Sequence, residues 1–400
     1  MKHRLGSLDA LRGFDLLCLV AISDLIEELA EVIDTPWMAS IMECFTHKKW
    51  EGFSPWDLVM PLFMFMAGVA IPYSLRPSSQ PSPKWEGAVY WRLCRRVLLL
   101  WLFGMMVQGN LLALDPNRIY LFTNTLQAIA VGYFFSALIY MHTSWKTQIG
   151  IAIALLLTFW GAMEFITIGG YGGGDYTPHG NLAEGIDNLV LGRFRDTAQV
   201  IDGEVVVKAS YTYTWILSSL NFVVTVLSGV LAGQILKKKD SPLPAPPLGE
   251  CSFSNGQSKK SRPQRGSLEG ASLLLLIGIA MVALGWTWGL VHPVIKHIWT
   301  GSMVLVSSGY CFLLMGIFYL WIDCLGHNKH LTVLKVYGMN SITAYVVSHV
   351  ISFRSISKSL FFGLEQYVGD YYDFIIQLSN VTILFIILYI MYRKKIFLRV

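Results

Sequence analysis

Ten apolar stretches recur along the chain, at about 8–33, 56–75, 88–110, 119–141, 147–168, 213–236, 271–291, 299–322, 331–350 and 375–392. Each holds roughly the 20 residues that a helix needs to cross the ~30 Å hydrocarbon core of a bilayer. Lipid offers an irregular backbone no hydrogen-bond partner, and the strand-like alternation of a barrel is absent, so all ten are predicted to be helices. The pattern thus predicts an all-α polytopic membrane protein with about ten transmembrane helices. Composition agrees. Charged residues make up 14% of the 400 and apolar ones 54%, whereas a soluble domain carries about 25% charged residues. The first stretch contains Asp9, Arg12, Asp15 and Asp24 and no small-residue cleavage site, so it is expected to stay as a span rather than leave as a signal peptide.

Lysine and arginine set the orientation. One set of loop ends carries 22 of them and the opposite set nine, which places both termini in the cytoplasm. The outer loops are then 34–55, 111–118, 169–212, 292–298 and 351–374. The net charge of +5 follows this asymmetry; the bilayer is the expected partner, and nucleic acid is not. Residues 237–270 are rich in Pro, Ser, Gly and Lys and nearly devoid of aliphatic residues. They are expected to form a disordered cytoplasmic linker between a six-helix part, 1–236, and a four-helix part, 271–400. Only Cys44 falls in an outer loop, and no cysteine pair has zinc-ligand spacing.

Candidate chemistry concentrates in the outer segment 34–57. His47 lies ten residues before Asp57, which opens the second span. A fixed imidazole is the default proton acceptor near neutral pH. Asp57 also has a structural reading, because Ser54-Pro55-Trp56-Asp57 before an apolar run has the form of a capping box. Asp24 stands about 22 Å along the first helix from Asp9, toward the outer face, at ~1.5 Å per residue. An ionisable group within a span calls for a partner, so His47, Asp57 and Asp24 are expected to converge. The inner ends of spans one and three carry Arg12, Arg92, Arg95 and Arg96. Guanidinium groups bind phosphates bidentately, and this rim is expected to receive a phosphorylated cofactor. Snorkelling side chains would account for the same residues. Asn124, Gln127, Asn221 and Asn340 lie at depth and would form a polar path if they faced one cavity. The loop 169–212 is expected to cap the outer face, with a short amphipathic helix near 181–191. Its glycine run, 169–174, lacks the Gly-Lys-Ser/Thr ending of a nucleotide loop.

Ser7-Leu-Asp9-Ala-Leu-Arg12-Gly13-Phe resembles the heparan-α-glucosaminide N-acetyltransferase family, to which NagX-like bacterial proteins are allied. So do His47-x-x-Trp50-x-Gly52 and Asp57-Leu-Val-x-Pro61-x-Phe63-x-Phe65-x-x-Gly68. Leu126-Gln127, Gly229-Val-x-Ala-Gly233, Trp299-Thr-x-Ser302 and Gly338-Met-Asn340-Ser-Ile342 follow in family order. The resemblance implies acetyl transfer across a membrane, from cytosolic acetyl-CoA to an extracytoplasmic amino sugar or glycan. It places His47 on the catalytic histidine, acting as general base or acyl carrier, and Asp57 on the acidic residue beside it. The donor would meet Arg12, Arg95, Arg96, Asn124, Gln127 and Asn340, and the acceptor Trp50, Asn221 and Trp299. Trp50 N–H or Lys48 would supply an oxyanion donor. The chain departs from the family pattern at Ser23-Asp24, Leu121, Thr123 and Thr214. The resemblance also suggests a homodimer, and the early first span suggests a bacterial inner membrane. An amino-sugar transporter is the alternative reading.

Overall fold

A computed structural model describes residues 5–75, 83–196, 198–201, 204–207, 213–239, 265–327 and 329–397. Among them, seven helices are long and apolar enough to cross a membrane. They are Pro55–Ser74, Thr125–His142, Trp145–Phe165, Ser219–Lys238, Leu268–Trp288, Gly301–Cys324 and Glu365–Arg393. The protein is thus a mostly helical, polytopic membrane protein. Three expected spans take another form. The first runs as Gly6–Leu17, passes through a wider π segment at Cys18–Ile22 and continues as Ser23–Val32. The third, Pro83–Val107, is long enough, but Arg92, Arg95 and Arg96 interrupt its apolar run. The ninth is broken at Asn340, which leaves helical geometry between Thr332–Met339 and Ser341–Val350. Asparagine competes for its own backbone and so favours such a break.

Three helices, Pro55–Ser74, Ser219–Lys238 and Gly301–Cys324, form the centre. Of Ser219–Lys238 72% is buried, against 22% for Trp145–Phe165 and for Glu365–Arg393, which form the rim. The helix Val59–Ser74 meets Ser219–Lys239 through glycines: a β-carbon on Gly68 would lie 2.0 Å from the Val226 carbonyl oxygen, and one on Gly229 2.0 Å from that of Phe65. Lipid gives helices no hydrophobic reason to associate, so close backbone approach at small residues supplies the packing. The expected linker begins and ends helically, since the flanking helices extend to Lys239 and start at Arg265. Its middle, 240–264, lies outside the described residues.

Three of the loops assigned to the outer side meet at one end of the bundle. Gly52 N donates to Val294 O at 2.8 Å, Thr214 N to His297 O at 3.0 Å, and Trp50 Nε1 to Tyr176 O at 2.9 Å. Within 169–212 the expected short helix runs Leu182–Val190. The Asn181 side chain caps it by accepting from Glu184 N at 2.8 Å. Buried Arg195 forks onto both carboxylate oxygens of Glu184, and Asp187 accepts from Trp215 N and Ile216 N at 2.7 and 2.9 Å. These bonds staple the segment to the approach to Ser219.

Candidate active site

His47 follows the short helix Pro36–Cys44, and local bonds fix its loop. Ser54 Oγ donates to Thr46 O at 2.8 Å, and Glu51 bridges antiparallel to Ile295. Gly52, at φ +111°, makes the intervening turn, in the region that only glycine enters freely. The two readings of Asp57 turn out to hold together, because its oxygens divide the work. Oδ2 accepts from Ser54 N at 2.9 Å, with Ser54 Oγ 3.0 Å away, starting the turn Pro55–Leu58. Oδ1 lies 2.8 Å from His47 Nδ1. A carboxylate only accepts, so Nδ1 carries the hydrogen in this pair and Nε2 is the basic nitrogen. The Asp57 side chain is 1% exposed and that of His47 34%: one holds, the other reaches out.

A third group, absent from the sequence expectations, completes the site. Lys296 Nζ stands 2.9 Å from His47 Nδ1 and 3.4 Å from Nε2, and 3.3 Å from Asp57 Oδ1. Burial pushes its ammonium down from the usual 10.5 to about 8, and the Asp57 charge pulls the other way. An ammonium only donates. Asp57 and Lys296 therefore compete for Nδ1, Asp57 favouring a hydrogen there and Lys296 a lone pair.

A tight turn aims Lys296. Trp299 N and Thr300 N bond back to Lys296 O and Ile295 O at 3.0 and 3.1 Å, with Trp299 at φ +52°. A bulky residue in that region signals strain held by its surroundings. Asn221 Nδ2 grips Trp299 O at 2.6 Å, and Trp299 Nε1 donates to Thr225 Oγ1 at 3.1 Å. Next to the lysine, buried His297 stacks between the rings of Trp50 and Tyr213, with centroids 5.2 and 4.6 Å away. Burial pushes His297 down to about 4. His292, also pushed down to about 4 by burial, accepts from Gly301 N at 3.0 Å and meets Tyr176 Oη at 2.9 Å.

His47 and Lys296 line a cavity of about 500 Å³ that Arg12 and Arg96 also line. Both arginines lie deeper in the bundle than an inner rim. Arg12 Nη2 donates to Met66 O at 3.1 Å, and Met66 is nine residues from Asp57, ~13 Å along the helix at about 1.5 Å per residue. The Arg96 guanidinium sits 4.1 Å over the Tyr133 ring, eight residues into the helix that starts at Thr125.

Other expected residues fall elsewhere. Arg95 is exposed and does not line the cavity. Asp24 is exposed, and its oxygens accept from Gln377 Nε2 at 2.9 Å and Ser23 Oγ at 3.0 Å. The π segment before it turns the helix by roughly 100° per added residue and sets this carboxylate against the last helix. Asn124 and Gln127 form a capping box. Asn124 Oδ1 accepts from Leu126 N at 2.7 Å, and Gln127 Oε1 accepts from Thr123 N at 2.8 Å. Their neighbours Thr123, Thr125 and Leu126 line the cavity instead. Asn340 is buried between two lining residues, with no hydrogen-bond partner for its side chain among the described residues. Trp50, Asn221 and Trp299 serve as the anchors described above.

The fold and site thus define a polytopic membrane protein with a His–Asp–Lys cluster, its carboxylate and ammonium buried, lining a cavity among the helices. No family model matches the chain. The chain is 25% identical over 405 residues, 89% of its length, to heparan-alpha-glucosaminide N-acetyltransferase of Mus musculus. It is 25% identical over 454 residues, 100% of its length, to the protein of the same name from Homo sapiens. The chain spans 56% and 60% of those proteins' lengths. It is distantly related to them.

Proposed function

We propose that the protein is a transmembrane acyltransferase that moves an acetyl group from cytosolic acetyl-CoA to an amino sugar or glycan on the opposite side. The observation that carries this reading is the His47–Asp57 pair, 2.8 Å apart, opening on a cavity that continues to two arginines deep among the helices. Arg12 and Arg96 offer the only kind of side chain that binds phosphate bidentately, and the aromatic rings of Trp56, Tyr213 and Trp215, which line the same cavity, suit the apolar face of a sugar. His47 Nε2 takes the proton from the acceptor nitrogen as that nitrogen attacks the thioester carbonyl, and Asp57 holds the ring and its tautomer. A route through acetyl-His47 uses the same atoms.

The topology belongs to the same proposal. Ten crossings follow if the interrupted helices Gly6–Val32, Pro83–Val107 and Thr332–Val350 each traverse the bilayer. Both termini are then cytoplasmic, with six helices before the linker and four after it, in a bacterial inner membrane. A homodimer is proposed from the family resemblance. The transporter reading draws no support from either relative.

Purified protein in nanodiscs, given acetyl-CoA and glucosamine, is expected to release CoA thiol. His47→Ala should lower kcat by at least about a hundredfold, the lower end of what a general base contributes. Equal rates for the two proteins overturn the assignment.

A further inference from the structure

We infer that Lys296 is a catalytic cation, whose ammonium holds the negative charge that develops on the thioester carbonyl oxygen while His47 takes the acceptor's proton. This rests on the acyl-transfer reading above and adds to it the group that stabilises the transition state.

The other donors near His47 are already engaged. The Trp50 N–H is committed to Tyr176 O at 2.9 Å, and the Gly52 N–H to Val294 O at 2.8 Å. Lys48 pairs with Glu43 at 2.9 Å on the exposed surface. Lys296, in contrast, is 5% exposed and lines the same cavity as His47, with Nζ 3.4 Å from the nitrogen that acts as base. An acceptor bonded to Nε2 brings the acyl carbon it attacks within reach of that ammonium. Asp57 Oδ1 at 3.3 Å and His47 Nδ1 at 2.9 Å take two directions of Nζ, and an ammonium has three donors, which leaves one for the oxyanion. The strained Trp299 turn, gripped by Asn221 and Thr225, fixes the lysine before substrate arrives, and preorganisation is what makes such a charge effective.

The step balances. The acceptor nitrogen bonds to the carbonyl carbon, and the carbonyl π pair moves to oxygen beside Lys296. The nitrogen's proton passes to His47 Nε2. The oxyanion then collapses, the C–S bond breaks with its pair going to sulfur, and His47 returns the proton to the thiolate. Amide and CoA thiol leave, with His47 neutral and Lys296 charged as before.

The fall of the ammonium to about 8 gives the test its readout, because the cation is present at neutral pH and lost above it. We would measure kcat against pH for wild type, Lys296→Met and Lys296→Arg, with His47→Ala as reference. Wild type should lose activity as pH rises through about 8. Lys296→Met should lose about 10²–10³-fold in kcat at pH 7, the cost of one oxyanion donor. Lys296→Arg, whose guanidinium stays charged, should keep measurable activity without the alkaline fall; it also decides the matter if the methionine variant does not fold. A folded Lys296→Met within threefold of wild type overturns the inference, as does an arginine variant with the wild-type alkaline fall. Either result beside an inactive His47→Ala overturns this inference alone. A wild type that transfers no acetyl, or a His47→Ala that matches it, removes the functional reading and this inference together.

Discussion

Replacing Asp57 with asparagine separates the cap from the catalytic function, because the two oxygens serve different partners. The amide oxygen can still accept from Ser54 N, as Oδ2 does at 2.9 Å, so the start of the helix survives. The amide nitrogen then faces His47 Nδ1, where Oδ1 accepted at 2.8 Å. It can only donate. Lys296, 2.9 Å from the same nitrogen, also only donates. With two donors on Nδ1, the ring hydrogen moves to Nε2, and the lone pair that would take the acceptor's proton is gone. Losing a general base costs about 10²–10⁴-fold, or about 3–5 kcal/mol of barrier at ~1.36 kcal/mol per tenfold. Stability should fall by no more than the about 3–5 kcal/mol that stripping one partner from a buried ion pair costs, since Lys296 keeps its contact with His47, 2.9 Å away. CoA-thiol release in nanodiscs reads the rate and thermal unfolding reads the fold. An Asp57→Asn protein with kcat within tenfold of wild type and an unchanged melt would refute the tautomer argument.

Two further outcomes follow from the geometry. Arg96→Ala should raise KM for acetyl-CoA about tenfold or more by removing a charge-assisted phosphate contact, whereas Arg95→Ala, on the exposed face, should change it less than twofold; equal effects from both would show that the cavity is not the donor path. His292 is neutral and pushed down to about 4 by burial; the unfolded chain binds a proton that the native site refuses, so stability present above pH 6.5 should be lost as pH falls from 6.5 toward 4. Its share of the loss is about 3 kcal/mol at ~1.36 kcal/mol per pH unit, seen as an acid fall in melting temperature that His292→Gln should reduce by about half, because His297 is pushed down to about 4 as well.

Much of this protein was legible along the chain, for reasons that need no tertiary contact. Water and lipid sort side chains by polarity over lengths of one helix, so the seven long apolar helices appear where the runs of apolar residues fall. The Ser54–Asp57 cap is local, and the spacing His47 to Asp57 places both groups at one helix start. The same local logic gave the helix Leu182–Val190 behind Asn181.

What the chain could not disclose was which charged residues meet. Lys296 lies 249 residues from His47 and counted only as one cation in an outer loop; the flanking His292 and His297 were the only hint of chemistry near it. A bridge between Glu51 and Ile295 and a strained turn at Trp299 bring it to His47. Asp24 and Asp57 are both carboxylates that the sequence assigns to one side of the membrane, yet a π segment turns one toward Gln377 while the cap locks the other onto His47. Arg95 and Arg96 are adjacent in sequence and lie roughly 100° apart around a helix, so packing alone chooses which one faces the cavity. Periodicity determines which face of each element is apolar; only the close approach of backbones, such as that at Gly68 and Gly229, decides how the faces are rotated against one another and hence which polar groups share a space.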